Sequence, residues 1–218
     1  MNEYGYLSVF SERWPDLLDK LYEHLLLTAI SVLLGCLVAI PLGIFLAKTS
    51  IKWIKSLTFN VINIFQAIPS LALLAMLVPL LGFGLKTAVM ALFLYSLMPI
   101  LKNTYAGFHS IDQEIVEAAR GMGYNASQRL FQIELPLALP YIMSGVRLTA
   151  VYIISWAVLA GLIGGGGLGE LILAAMSLND KPLIIASSVM AMGIALLAEV
   201  LLGFLEKIVT RRQQPQSE

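Results

Sequence analysis

The stretch 117-EAARGMG-123, closed by 133-IELP-136, lies inside the longest polar interruption of a very apolar chain. Asp112 is a good N-cap, and Ile115, Ala118, Ala119 and Met122 fall on one face at helical spacing. Gly123 can take positive φ and end that helix. Asn125, with Gln128 three residues later, has the form of a capping box opening a second short helix over roughly 126–133, which Pro136 is expected to stop. The local pattern is therefore a short helix, a glycine turn and another short helix, presented on a loop, 107–136, between two apolar runs.

The composition says what those runs are. Of 218 residues, 58% are hydrophobic and only 13% charged, against about 25% charged in a soluble domain. Mean hydropathy is +0.82. That much apolar surface cannot be hidden inside a chain of this size in water, so the sequence predicts an all-α integral membrane protein. Net charge is zero, which gives no footprint for nucleic acid. The single cysteine, Cys36, excludes an internal disulfide and reads as a small apolar-run residue.

Working outward, five spans are expected, at roughly 25–47, 57–81, 86–105, 138–161 and 183–206, making a membrane domain of 25–207. The first residues carry no basic stretch ahead of an early apolar core, so 25–47 reads as a retained span rather than a signal peptide. Ahead of it, within an N-terminal segment 1–24, residues 11–23 read as an amphipathic interfacial helix, with Trp14, Leu17, Leu18, Leu21, Tyr22 and Leu25 on one face. Ser31, Gly35, Ala39, Gly43 and Ala47 are spaced four apart, a small-residue ladder that lets another helix approach closely. Pro41 is expected to kink that span, and Pro69 and Pro79 to interrupt the second.

Asn60, Asn63 and Ser70 share a face of the second span, with Gln66 adjacent; such residues either line a wet path or bond between helices. Tyr95, Phe65 and Trp156 are either aromatic walls of that path or ordinary packing. Arg147 should snorkel or pair. The run 164-GGGGLGE-170 lacks the Gly-Lys-Ser/Thr ending of a nucleotide loop and predicts a sharp turn into a short helix near 168–177. Ser187, Ala191, Ala195, Glu199 and Gly203 form a second ladder, which would bury Glu199 against protein as a partnered acid or a transport group. The tail 208–218 reads as polar and disordered beyond Arg212.

Several chemistries lack their residues. No Walker A sequence and no serine-nucleophile elbow occur, and His24 and His109 stand apart at no zinc spacing, both expected at the surface or interface. No catalytic, cofactor or metal residue is expected. No internal repeat marks a carrier made of two halves. Charge sets the orientation. Lys48, Lys52, Lys55, Lys102, Arg120, Arg129, Arg147, Lys207, Arg211 and Arg212 fall on one side of five spans, and Arg13, Lys20, Lys86 and Lys181 on the other, ten against four. The richer side is cytoplasmic. The N-terminus is then outside, and the C-terminus and the 107–136 loop are inside.

The full spacing of Glu117, Ala118, Ala119, Gly123, Ile133, Leu135 and Pro136 resembles the signature of ABC importer membrane subunits. Residues of roughly 20–210 extend the resemblance to permeases of type I ABC importers for osmoprotectants. They do so through 68-IPSLALL-74, 94-LYSLMPI-100 with 102-KNT-104, and 160-AGLIG-164 running to 168-LGE-170; the last run is shared in looser form with methionine-type permeases. The resemblance implies the type I ABC importer permease fold, with those seven residues forming a cytoplasmic coupling element that docks into an ATPase subunit. It also implies a second permease subunit, identical or related, and an extracellular substrate-binding protein. ATP and magnesium would sit on the partner ATPase. The substrates implied are quaternary ammonium compounds such as glycine betaine, carnitine or choline, with methionine or another small amino acid as the alternative. A membrane scaffold or receptor without transport is the reading from another class.

Overall fold

The computed structural model describes residues 12–211; the expectations for 1–11, for Arg212 and for the rest of the tail lie outside the described residues. All regular structure among them is helical: α1 (Trp14–Lys48), α2 (Lys52–Ala67), α3 (Ser70–Leu81), α4 (Leu85–His109), α5 (Gln113–Gly121), α6 (Ala126–Arg129), a π-helical turn (Leu130–Glu134), α7 (Leu135–Ala157), a 3-10 turn (Val158–Ile163), α8 (Gly167–Ser177) and α9 (Lys181–Arg211). Four helical stretches are long and apolar enough to cross a membrane, or five spans if the bent pair α2–α3 counts as one.

Helix α4 is the central post. Its Leu92 and Tyr95 pack with Ile153 and Ala157 of α7 and Leu73 and Leu74 of α3. Its Leu97, Ile100 and Leu101 pack with Ala39 and Leu46 of α1 and Ile62 of α2. Its Phe108 meets Ala138 and Ile142 of α7. The first ladder does what its spacing predicts, and α4 is the helix it admits. A methyl added at Gly35 would lie 2.9 Å from Ser96 Cβ, and one at Gly43 2.8 Å from Thr104 Cβ. Gly43→Val should therefore wedge α1 off α4. Overpacking of this kind costs about 1–3 kcal/mol, so the melting temperature in detergent should fall by roughly 5 °C. An unchanged melting curve would refute this contact.

Four expectations need correction. The segment expected at 11–23, described from residue 12, is not set apart from the first span. From Trp14 it forms the opening turns of α1, a helix of 35 residues and about 52 Å, well beyond the ~30 Å hydrocarbon core. Leu17 there is fully buried, while Trp14 and Tyr22 stay exposed. Pro69 does interrupt the 57–81 segment as expected: α2 and α3 meet at 100°. Pro69 has no N–H to give, and its ring holds Ile68 extended at φ −72°, ψ 129°. Pro79, by contrast, interrupts nothing and lies inside α3.

Nor does Pro136 stop the helix that begins at Ala126. The chain runs on as one 38-residue stretch, Ala126–Ile163. A widened turn precedes the proline, in which Leu135 N–H donates to Leu130 O five residues back; such a turn tolerates a residue that cannot donate and that crowds the carbonyl four back. Last, His24 is fully buried rather than interfacial, its Nε2 3.0 Å from Ile154 O. His109 does stand exposed, stacked on Tyr105.

Candidate functional site

The loop between α4 and α7 is a small rigid knob, fastened at each end by its own side chains. Asp112 Oδ1 accepts the Glu114 N–H at 2.9 Å, capping α5. At the other end Gly123 sits at φ +85°. Gly123 N–H donates to Arg120 O at 3.0 Å and Tyr124 N–H to Ala119 O at 3.1 Å, the paired bonds of a Schellman ending. The capping box forms in both directions: Gln128 N–H donates to Asn125 Oδ1 and Asn125 N–H to Gln128 Oε1, each at 2.9 Å. These local bonds cap both helices of the knob from within its own sequence.

Its surface is unpartnered. Glu117, Ala118 and Gly123 are exposed, and Ile115, Met122 and Phe131 add exposed apolar side chains at 44%, 69% and 62%. Ala119 alone of the helix faces inward, at 1%. Ile133, Leu135 and Pro136 belong to the root, not the tip: all three are half-buried, and Leu135 packs on the Phe108–Ala138–Ile142 cluster with Leu130. The seven residues thus divide into a presented tip and an anchored stem. An exposed apolar tip carrying the Glu117 carboxylate, which accepts a long 3.4 Å bond from Gln113 Nε2, suits the cleft of another protein, where burying ~25 cal/mol per Å² of apolar surface supplies affinity and the charge sets orientation.

The candidate path residues do not form one group. Gln66, Ser70 and Tyr95 gather at the α2–α3 bend. Gln66 Nε2 donates to Tyr95 O at 2.6 Å, and Tyr95 Oη donates to Ile68 O at 2.5 Å, which satisfies the carbonyl of the extended residue between α2 and α3. Tyr95 is 4% exposed, its ring edge-on to Trp156 at 4.5 Å. With Ser70 they close on a pocket of about 10 Å³, room for roughly one water. Phe65 packs against the same cluster. Asn60 and Asn63 lie instead on the exposed face of α2, Asn60 bonded only to Ser56 within the helix. Glu199 is on α9 and is not buried: its side chain is 41% exposed and paired with Arg147, whose other arm reaches Glu206 at 2.8 Å. The second ladder brings Gly203 to the Arg147 guanidinium rather than to another backbone: a methyl added there would lie 3.1 Å from Arg147 Cζ.

Two polar ties escaped the sequence reading. At the far end of α1, Lys20 bridges Glu23 and Glu170, both at 2.9 Å, and Glu23 accepts the Gly167 N–H at 2.9 Å. At the knob end, Lys48 pairs with Glu134 at 2.9 Å. The 28-residue step from Lys20 to Lys48 along α1 places these ties about 42 Å apart. The one sequence signal was a lone charge in an apolar surrounding, Glu134 between Ile133 and Leu135; nothing local named its partner.

Comparison with known proteins identifies the family and the fold. A family model described as binding-protein-dependent transport system inner membrane component matches residues 39–215. The choline transport system permease protein OpuBB of Bacillus subtilis is 42% identical over 195 residues, 89% of each chain. The carnitine transport permease protein OpuCB of Listeria monocytogenes is 39% identical over 204 residues, 94% of this chain and 93% of its own. Among solved structures, the MetNI methionine ABC transporter in an inward-facing conformation superposes with a TM-score of 0.80, covering 88% of this chain and 95% of that one. At 22% identity that likeness speaks for the fold alone.

Proposed function

The chain belongs to the binding-protein-dependent transport system inner membrane components, as a membrane permease, and from that premise we propose how it works and what it carries. It is the membrane-spanning subunit of a type I ABC importer for a small quaternary ammonium osmoprotectant: choline, carnitine or glycine betaine. The relatives named for choline and carnitine, at 42% and 39% identity over most of both chains, support the substrate class. One observation carries the mechanism: Glu117, Ala118 and Gly123 stand exposed on a knob whose two ends are capped internally. A rigid, unpartnered tip on a bundle without a nucleotide loop fits an engine housed in another chain.

In this reading the α2–α3 pair makes one broken span, giving five, with the N-terminus outside and the knob in the cytoplasm. The Lys48–Glu134 pair and Lys55 lying 5.4 Å from the Tyr105 ring gather the cations of the richer side at the knob end, which supports that orientation. Two permease subunits enclose the path, with Asn60 and Asn63 on open surface that a second subunit can face. ATP and magnesium bind the two ATPase subunits. Their closure draws the knobs together through the exposed Glu117, Ala118 and Gly123, with Ala119 seating the helix from its inner face, and the spans rock to meet the extracellular binding protein. Ile133, Leu135 and Pro136 root the knob in the bundle.

Purification from native membranes tests this. An ATPase chain and a second permease should co-purify, and the reconstituted complex should take up radiolabelled betaine, carnitine or choline in preference to methionine. Methionine uptake alone would overturn the substrate class, and absence of any ATPase would overturn the coupled mechanism. Asn125→Cys should label only from the cytoplasm and Asp180→Cys only from outside; the reverse pattern sinks the topology.

A further inference from the structure

We infer that Lys48 and Glu134 form the brace through which movement of the knob reaches the first membrane span, a positioning role that rests on the coupling reading above. Glu134 is the last residue of the π-helical turn and is 7% exposed, a carboxylate that would be costly to bury without a partner. Its partner, Lys48, is the final residue of α1 and remains 40% exposed at the side chain. The pair therefore joins the stem of the knob to the end of a 35-residue helix that is not its neighbour in sequence. Around it, Ile40, Ile44 and Ala47 of α1 pack on the cluster of Phe108, Ala138 and Ile142. The knob's root is wedged between α1, α4 and α7, with one ion pair fixing its angle to α1.

The π-helical turn gives that angle its value. One extra residue in the turn rotates everything before it by about 100° around the α7 axis. Drawn back to ordinary α-helical register, α7 would carry the tip to a different azimuth, and Glu134 would leave Lys48. The turn and the ion pair set one orientation between them. A push on the tip then acts on α1 through a short polar link instead of being absorbed by rotation of the stem.

The two partners differ in what their removal does. Lys48→Met leaves a buried carboxylate alone and can simply unfold the site, whereas Glu134→Gln leaves only a half-exposed ammonium that water can serve. Glu134→Gln is therefore the informative variant. It is measured in the whole complex, with ATPase and binding protein, in liposomes, using whichever of radiolabelled betaine, carnitine, choline or methionine the wild type takes up. The ATPase should remain attached, while solute carried per ATP hydrolysed falls about five- to tenfold. The exchanged pair Lys48→Glu with Glu134→Lys should return the ratio to within twofold of wild type. A purely structural role would lower protein yield and melting temperature without moving that ratio. An unchanged ratio in Glu134→Gln, loss of the ATPase from that variant, or an exchanged pair that fails to recover each overturns the brace. A wild-type preparation with no ATPase overturns the coupling reading itself, so the two failures are distinct.

Discussion

Gly123→Val is expected to cut uptake at least tenfold while the permease still inserts in the membrane. The reason is backbone conformation, not space. A Cβ at Gly123 would meet nothing within 4 Å, yet the residue sits at φ +85°. A side chain in that region costs about 1–2 kcal/mol, and a β-branched one more. The Schellman bonds from Gly123 and Tyr124 would yield before the spans do, because the knob is short and exposed while the spans are packed. Helix α5 would then lose its ending, and Glu117 its fixed direction. A series separates this from general damage. Gly123→Asn should keep most activity, since asparagine enters the left-handed region readily; Gly123→Ala should be intermediate and Gly123→Val worst. Uptake into vesicles, normalised to membrane-inserted protein, reads the series. Equal uptake in all three would refute the role given to the turn, and loss of inserted protein in Gly123→Val alone would move the defect from coupling to folding.

The knob was legible because its instructions are local. Asp112, Gly123, Asn125 and Gln128 each act on backbone within five residues, so a reading of the chain finds both donor and acceptor. The ladder Ser31–Ala47 was half legible. Spacing announces a surface that a helix can approach, but choosing α4 needed Ser96 and Thr104, more than sixty residues away. The prolines show the limit plainly. Pro41, Pro79, Pro99 and Pro140 all lie inside helices that continue, and Pro69 marks the one sharp bend between paired helices among the described residues. In hydrocarbon a broken helix exposes backbone groups with no water to take them, so the chain continues unless other groups step in. At Pro69 they do: Tyr95 Oη serves the Ile68 carbonyl, and the Gln66 amide holds Tyr95's own carbonyl. No feature of residues 57–81 states that Tyr95 will be there. Glu199 failed for a related reason. Four-residue spacing sets which face a residue shares, but not whether that face is covered, and here the facing group is the Arg147 guanidinium.

The second large effect should come from two glycines whose contact with each other the sequence did not announce. Gly161 lies in the 3-10 turn after α7, and Gly169 in the first turn of α8. A methyl on Gly161 would meet Gly169 O at 2.8 Å, and one on Gly169 would meet Val158 Cα at 2.9 Å. Both obstacles are backbone, which no rotamer change can clear, and each residue blocks the other's segment. Gly161→Ala and Gly169→Ala should therefore each cost about 3 kcal/mol, the upper end of overpacking, and little folded permease should survive detergent extraction and mild heating. The same substitution elsewhere makes the contrast. Gly193 lies mid-helix in α9 with nothing within 4 Å of its built Cβ, so Gly193→Ala should be neutral or gain up to ~1 kcal/mol from helix propensity. Size-exclusion profiles of heated aliquots would rank the three. Gly161→Ala and Gly169→Ala melting within 2 °C of wild type would show that the turn and α8 do not touch through backbone. The 160–170 run would then be a flexible connection, and the tie from Lys20 and Glu23 to Glu170 and Gly167 would have no fixed wall to hold.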